Sequence, residues 1–504
     1  MARDWGFLSG AAFLWMAALA GVCAGQGPAT PVPSSGLEAA EAVERALVEV
    51  IARAEKSVVA IARVRRAPPG EMLNLETRPD PFGRRILAPP VPRPADPDFI
   101  PTEYATGVVV DRRGWVLTVY HVLGEQSDYY VSTYDRRVYR AKLAAADPRS
   151  DLAVLAPDEE FLPRPNAIDL PTMSLGDAAG LRKGQIAVCL GNPFAMARDG
   201  QASASWGILA NLGRKAPASP DEPELGKPTL HHFGTLIQTD AKLNLGTSGG
   251  PLLNLKGEMV GLTTSIPAVP GFDAAAGYAM PVDATFRRVL EALRQGREVE
   301  YGFLGVQLQR IAGEDLGLGV QGTRVEKVLP GMPAARSGIR PGDVIAAVNR
   351  APIRDPDALV LEVSKLPLDA VVRLGLLRGQ RRMDLEVELT KYRVQGKKVV
   401  TNPSPDWRGM RIDYVTALDD ALAAGHASGP SLLEAVAVID VKKGTPAWES
   451  GLRPGMFVSH VDRTAVRTPA QFRAAVSTRS GSVRLQLAGE APAAGSRTIT
   501  VPGA

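Results

Sequence analysis

The chain has 504 residues, 45% hydrophobic and 22% charged. At roughly 150 residues per domain this excludes a single small stapled module and a broadly disordered chain, and predicts about three folded domains. The 58 Lys and Arg against 54 Asp and Glu leave a net charge of only +4, with no basic run interleaved with aromatics, so nucleic acid is not an expected partner. Two cysteines, Cys23 and Cys189, exclude a disulfide framework or a zinc cluster, so oxygen and nitrogen side chains must carry the chemistry.

In chain order, residues 1–24 read as a signal peptide: Arg3 precedes an apolar stretch over 7–22, and cleavage is expected after Ala24. Val22 argues against lipidation of Cys23. The apolar stretch approaches the length needed to span a bilayer, so an uncleaved membrane anchor is the alternative. Residues 25–36 form a Pro- and Ser-containing linker. Over 37–56, Leu37, Ala40, Val43, Leu47, Ile51 and Ala54 recur at helical spacing, and 57–64 is a strand by its branched residues. Nine prolines and no periodicity make 67–100 a long exposed loop. From about 106 to 264, short apolar runs at 107–110, 115–119, 152–155, 186–190, 236–238 and 259–263 alternate with turn residues. That pattern predicts an all-β barrel architecture, with Cys189 as a buried apolar residue. A helix over 282–294 closes this domain.

Beyond 301 the chain repeats itself. PGMPAARSGIRPGD at 330–343 returns 113 positions later as KGTPAWESGLRPGM at 443–456, and the match runs on through Val348/Val461, Arg350/Arg463 and Pro356/Pro469. A period of that size means one whole domain per copy. Helices are expected to start at Pro356 and Pro469, where proline suits a first turn.

Three segments carry candidate chemistry. GWVLTVYHV over 114–122 is a strand ending at His121; DPRSDLAVL over 147–155 is a turn with Asp151 at the mouth of a strand; QTDAKLNLGTSGGPLL over 238–253 frames Ser248 with glycines. A serine hydroxyl is a weak nucleophile at neutral pH. Acyl transfer needs an imidazole to take its proton and a carboxylate to hold that imidazole. An oxyanion needs converging backbone N–H groups, for which Gly246 and Ser248 are the candidates. Singly, each residue has an ordinary structural explanation. Together, the order His, Asp, Ser is a known order for this triad, and His121 alone among five histidines has the strand-end setting ahead of a suitable Asp and Ser. The pair His231 and His232 has no accompanying ligand cluster, so neither a metal nor a cofactor is expected.

These segments resemble those of the HtrA/Deg family of exported serine proteases. GNPF at 191–194 resembles that family's loop between the triad Asp and Ser, and GEMVGLT at 257–263 the strand walling its substrate site. The resemblance implies a mainly β fold: a chymotrypsin-like double β-barrel protease domain over 37–299, then two PDZ domains over 300–395 and 396–504. It implies His121 as general base, Asp151 as its orienter, Ser248 as nucleophile, and an oxyanion hole from Gly246 and Ser248. Phe303, Leu304, Gly305 and Val306, within YGFLGV, become the first PDZ domain's carboxylate-binding loop, which would hold peptide C-termini by strand addition. In the second copy Arg408 replaces Leu304, which makes peptide capture there doubtful. Unfolded protein or peptide substrates, a periplasmic or envelope location and a homotrimer complete what the resemblance implies.

The sequence departs from the family pattern at Thr247, at Leu245, at Val119 and Tyr120, and in a longer segment around 215–229. With no acid among Leu243, Asn244 and Leu245, small aliphatic side chains are expected at the cleavage site. A scaffold or chaperone whose barrel has lost turnover is the alternative. An esterase is disfavoured because the strand-turn-helix Gly-x-Ser-x-Gly elbow with a downstream histidine is absent.

Overall fold

The structure is a computed structural model and describes residues 36–66, 77–79, 85–87, 101, 103–162, 164, 167–192, 200–216, 227–264, 277–311, 321–368, 370–418, 434–488 and 497–503. The expected signal peptide and linker residues 25–35 lie outside these, and Gly36, the last residue assigned to the linker, already opens the N-terminal helix. Among the described residues, 36–49 and the body from Val50 onward fall into two separate units. The N-terminal helix, Gly36–Ala54, runs on into a 3-10 turn at Glu55–Ser57, and its apolar Leu37, Val43 and Val48 are exposed.

Six antiparallel strands close the first barrel, in the order Val138–Asp147, Ser127–Ser132, Val58–Arg65, Glu103–Asp111, Trp115–Val119 and Leu152–Pro157, which returns to Val138–Asp147. Alternation along these strands turns Val59, Val109, Val116 and Leu155 inward to form its core. The second barrel closes in the order Ser203–Arg214, Leu236–Thr239, Gly277–Pro281, Met259–Thr264, Pro251–Leu253 and Ile186–Gly191. Its core contains Leu252, Val260 and Cys189, whose thiol burial pushes up to about 12. Each apolar run picked out between 107 and 263 lies in one of these strands. The closing helix starts at Ala284 rather than 282, because the Asp283 carboxylate caps it by accepting from the Phe286 N–H at 2.8 Å. Within the proline-rich 67–100, Thr77–Pro79 pairs antiparallel with Arg85–Leu87. Strands of three residues are too short to show a period, so the sequence reading missed them.

Two modules of the same topology follow. The first orders its strands Val306–Gln309, Thr323–Val328, Val344–Val348, Val371–Arg378 and Arg381–Glu388; the second, Met410–Tyr414, Val436–Val441, Phe457–Val461, Val483–Ala488 and Thr498–Val501. Their helices, Pro356–Lys365 and Pro469–Val476, begin at the expected prolines and are capped by Asp355 and Thr468. The entry loops also correspond. The Leu304 carbonyl accepts from Ala334 N–H at 3.0 Å and Gly305 from Leu329 at 2.9 Å, while the Arg408 carbonyl accepts from Ala447 at 3.2 Å and Gly409 from Lys442 at 2.8 Å. Leu304 is therefore matched in space by Arg408.

The first module is seated on the barrels. Arg149 is buried against the rings of Tyr392, Phe233 and Tyr301, and both Lys215 and Lys227 pair with Asp357 at the start of the module's helix. Beyond this module the chain returns to the first barrel, where Val399 and Val400 pair antiparallel with Ala146 and Ala145. The Lys397 carbonyl accepts from the Tyr120 hydroxyl at 3.2 Å, and its ammonium pairs with Glu125 at 3.0 Å.

Candidate active site

The buried strand Trp115–Val119 stops at a 3-10 turn, Tyr120–Val122, closed by the Leu123 N–H on the Tyr120 carbonyl. This turn delivers His121 to the barrel rim. Asp151 arrives on the facing turn, with its backbone in the left-handed region at φ 58°, a conformation Asp tolerates better than most residues. The turn is set from within, since the buried Asp147 carboxylate accepts from the Ser150 N–H at 2.9 Å and from the Tyr301 hydroxyl.

His121 Nδ1 lies 2.9 and 3.1 Å from the two Asp151 oxygens, and the His121 backbone N–H donates to Oδ1 at 3.0 Å. Thr264 Oγ1 reaches Oδ2 at 3.5 Å. Burial opposes the Asp151 charge, but the His121 imidazole and its hydrogen bonds outweigh it, so the carboxyl titrates below its ordinary value. Burial likewise opposes a charge on His121, and the Asp151 carboxylate reverses that, leaving its pKa above 6.5. The Nδ1 contact leaves Nε2 as the nitrogen available to take a proton.

Ser248 comes from the second barrel and is 6% exposed. Thr106, on the first-barrel strand Glu103–Asp111, ties its loop across the barrel junction. The Thr106 N–H donates to the Ser248 carbonyl at 2.9 Å, and its hydroxyl donates to the Gly246 carbonyl at 2.8 Å while accepting from the Asn192 N–H at 2.8 Å. The Thr118 hydroxyl donates to the Thr106 carbonyl at 2.8 Å, and Thr118 lies three residues before His121. One polar chain thus links the serine loop to the histidine strand. Backbone contact also explains the glycines. A Cβ on Gly249, at φ 86°, would sit 2.1 Å from the Thr106 carbonyl oxygen, and one on Gly246, at φ 94°, 2.5 Å from that of Asn192. The Thr247 N–H closes a turn on the Asn244 carbonyl with Gly246 at the position that requires positive φ. The departure at Thr247 is accommodated because its hydroxyl donates to that same carbonyl at 2.7 Å.

The structure thus joins His121 to Asp151 and stitches the Ser248 loop to the strand beside them. Pro193 and Phe194 of the GNPF segment lie outside the described residues, as does most of 215–229. Of the loop assigned to peptide binding, Leu304 is buried in the first module's core, Phe303 and Val306 are half-buried, and Gly305 takes φ 80° with Met332 where a Cβ would go. Sequence reasoning missed Thr106 and Thr264 as site residues, and it weighed His231 only as part of a metal pair. His231 Nε2 lies 3.9 Å from Asp151 Oδ2.

Two closed six-stranded barrels, with a histidine–carboxylate pair on one and a glycine-framed serine on the other, define the trypsin-like class of serine peptidase. Residues 105–262 match the family described as trypsin-like peptidase domain, and residues 302–389 match the PDZ domain family. The chain is 30% identical to the "Probable periplasmic serine endoprotease DegP-like" of Pseudomonas putida (strain W619) over 81% of this chain and 82% of that protein. It is 29% identical to the "Periplasmic serine endoprotease DegP" of Escherichia coli (strain K12) over 76% of this chain and 73% of that protein. A solved structure described as "HtrA-type protease AlgW with decapeptide" superposes with a TM-score of 0.50 at 26% identity, over 68% of this chain and 98% of that one. The chain belongs to the HtrA/Deg family of serine proteases and is a serine-type endopeptidase.

Proposed function

We propose that this protein is an exported, periplasmic endopeptidase that cleaves unfolded or damaged envelope proteins through a Ser248–His121–Asp151 acyl-enzyme mechanism. The observation that carries the reading is the double contact of the Asp151 carboxylate with His121 Nδ1, set beside the Thr106-bridged serine loop. His121 Nε2 takes the Ser248 proton as Oγ attacks the scissile carbonyl, then returns it to the leaving amine. Asp151 holds the tautomer and stabilises the imidazolium. The Gly246 and Ser248 N–H groups receive the oxyanion, each such donor contributing about 2.7–4 kcal/mol to the barrier. At the entrance to the serine loop, the Leu243 side chain occupies the space beside Gly277, which supports a preference for small aliphatic residues at the cleavage site.

Within the first PDZ module, Val306–Gln309 is an edge strand, and the Phe303–Val306 loop receives peptide C-termini as the peptide extends that edge. The second module serves packing or assembly. Its Arg408 guanidinium is committed to the Val501, Pro502, Arg479 and Gly481 carbonyls at 2.6–3.2 Å. The periplasmic setting named for the relatives supports export. A homotrimer is the expected assembly, which light scattering on the purified mature chain checks. Casein turnover beside Ser248→Ala tests the whole reading. Loss of several orders of magnitude is expected, and equal rates would leave only the scaffold alternative.

A further inference from the structure

The Asp151 carboxylate is buried, and its two oxygens are unequally served. Oδ1 accepts from the His121 N–H at 3.0 Å and faces Nδ1 at 3.1 Å, whereas Oδ2 has Nδ1 at 2.9 Å and only the long Thr264 contact at 3.5 Å. Beside Oδ2 stands a second imidazole. His231, on the 3-10 turn Leu230–Phe233, is 8% exposed and holds Nε2 3.9 Å from Oδ2, and among the described residues neither of its ring nitrogens has a hydrogen-bond partner. A buried ring with both nitrogens unpaired is costly unless something completes it. Its backbone is fixed on both sides, since the Leu230 N–H donates to the Arg149 carbonyl at 2.8 Å and the His231 carbonyl accepts from Ala216 at 2.9 Å.

We propose that His231 is a positioning residue for the catalytic pair: its neutral imidazole, carrying the proton on Nε2, donates to Asp151 Oδ2 and fixes the carboxylate against His121 once substrate occupies the site. This rests on the triad reading above. The closure needed is under an ångström, and catalytic hydrogen bonds that are long in an empty site commonly tighten in the substrate complex. The titratable groups around the ring are Asp151, His121 and His232, with Asp283 and Lys365 on the wall of the adjoining apolar cavity. Burial drives the His231 pKa down to about 4, so the ring is neutral wherever His121 is able to act as a base.

The test compares H231F, which fills the space without a donor, with H231Q, whose amide N–H reaches toward the same place. Both are assayed on a short chromogenic peptide and normalised by titrating Ser248 with a fluorophosphonate. H231F is expected to lower kcat about ten- to a hundred-fold at unchanged KM, and to move the acid limb of kcat/KM upward, because a carboxylate stripped of a donor attracts the His121 proton more strongly. H231Q is expected to recover kcat to within a few-fold and to return the limb. Equal losses in both variants, or none in either, would overturn the inference. Should H231F not fold, 15N spectra of the histidine-labelled native chain decide: an Nε2–H tautomer supports the assignment and an Nδ1–H tautomer ends it. Failure of the triad reading is distinguishable, because the fluorophosphonate would then leave Ser248 unlabelled in every form.

Discussion

His121 is held chiefly by a side chain, the Asp151 carboxylate, whereas the Ser248 loop is shaped by close backbone packing at its glycines, with the Thr106 and Thr247 hydroxyls alongside. On the histidine side, the Asp151 carboxylate faces the imidazole, Asp147 sets the turn that carries Asp151, and Thr264, from the second barrel, reaches Asp151 Oδ2. On the serine side, Gly246, Gly249 and Gly250 let carbonyls of Asn192, Thr106 and Leu190 approach to distances no Cβ would allow. The difference matches the chemistry that the proposed mechanism asks of each half. An imidazole must be oriented and electrostatically supported through a proton transfer, which carboxylates and hydroxyls do well. An oxyanion hole requires main-chain N–H groups to converge, which only a tightly folded loop achieves. The histidine half is expected to fail by losing electrostatics with its shape intact, and the serine half by losing shape.

The most severe test is Asp151→Asn, which keeps the volume and inverts the hydrogen-bonding. Turnover should fall by about four orders of magnitude with an almost unchanged circular dichroism spectrum, and retained activity would mean that His121 does not depend on this carboxylate. Next is Gly249→Ala on the serine side. The added methyl must displace the Thr106 carbonyl, so kcat/KM should drop on the order of a hundred-fold or more, with slowed fluorophosphonate labelling of Ser248. Unchanged labelling would show that the loop can relax around a Cβ. Thr106→Val removes the hydroxyl that bridges the halves while keeping the side-chain shape. Stranding the Gly246 carbonyl and the Asn192 N–H should cost about 1–3 kcal/mol of stability, read as a lowered Tm.

The smallest effect is a pH shift. The proposed mechanism needs neutral His121, whose pKa stands above 6.5, so kcat/KM should decline as pH falls through a midpoint above that value. Stability runs the other way across the same titration. The raised His121 pKa contributes stability below 6.5 that is lost as pH rises through the folded value, while the lowered Asp151 pKa contributes above 3.8 and is lost as pH falls through its own. A midpoint at or below 6.5 would mean that Asp151 does not govern the imidazole in solution.

Much of this arrangement was legible in the sequence because the chemistry restricts residue types tightly. Only a few residues serve as base, orienter or nucleophile, and the glycines around Ser248 advertise a backbone that side chains cannot enter. The repeat was equally plain, down to the placing of Arg408 opposite Leu304. Thr106 was not legible, since it lies 140 residues from Gly246 and a threonine in a strand is ordinary until its hydroxyl is seen bridging two barrels. His231 was obscured by its neighbour, because adjacent histidines read as a metal pair, whereas the 3-10 turn points His231 inward and leaves His232 to bond Thr229. The pairing of Thr77–Pro79 with Arg85–Leu87 carried too few residues to register against nine prolines.

The return of Val399 and Val400 to the first barrel bears on how peptide capture reaches the peptide-cutting centre. A module joined to a catalytic domain by one connection swings like a door on a single hinge, but this one is fastened at its exit as well as its entrance. The strand that follows the first PDZ module therefore pairs with Ala145 and Ala146 and, through Lys397, touches Tyr120, the residue next to His121, which gives the module a second line of contact with the proposed catalytic pair.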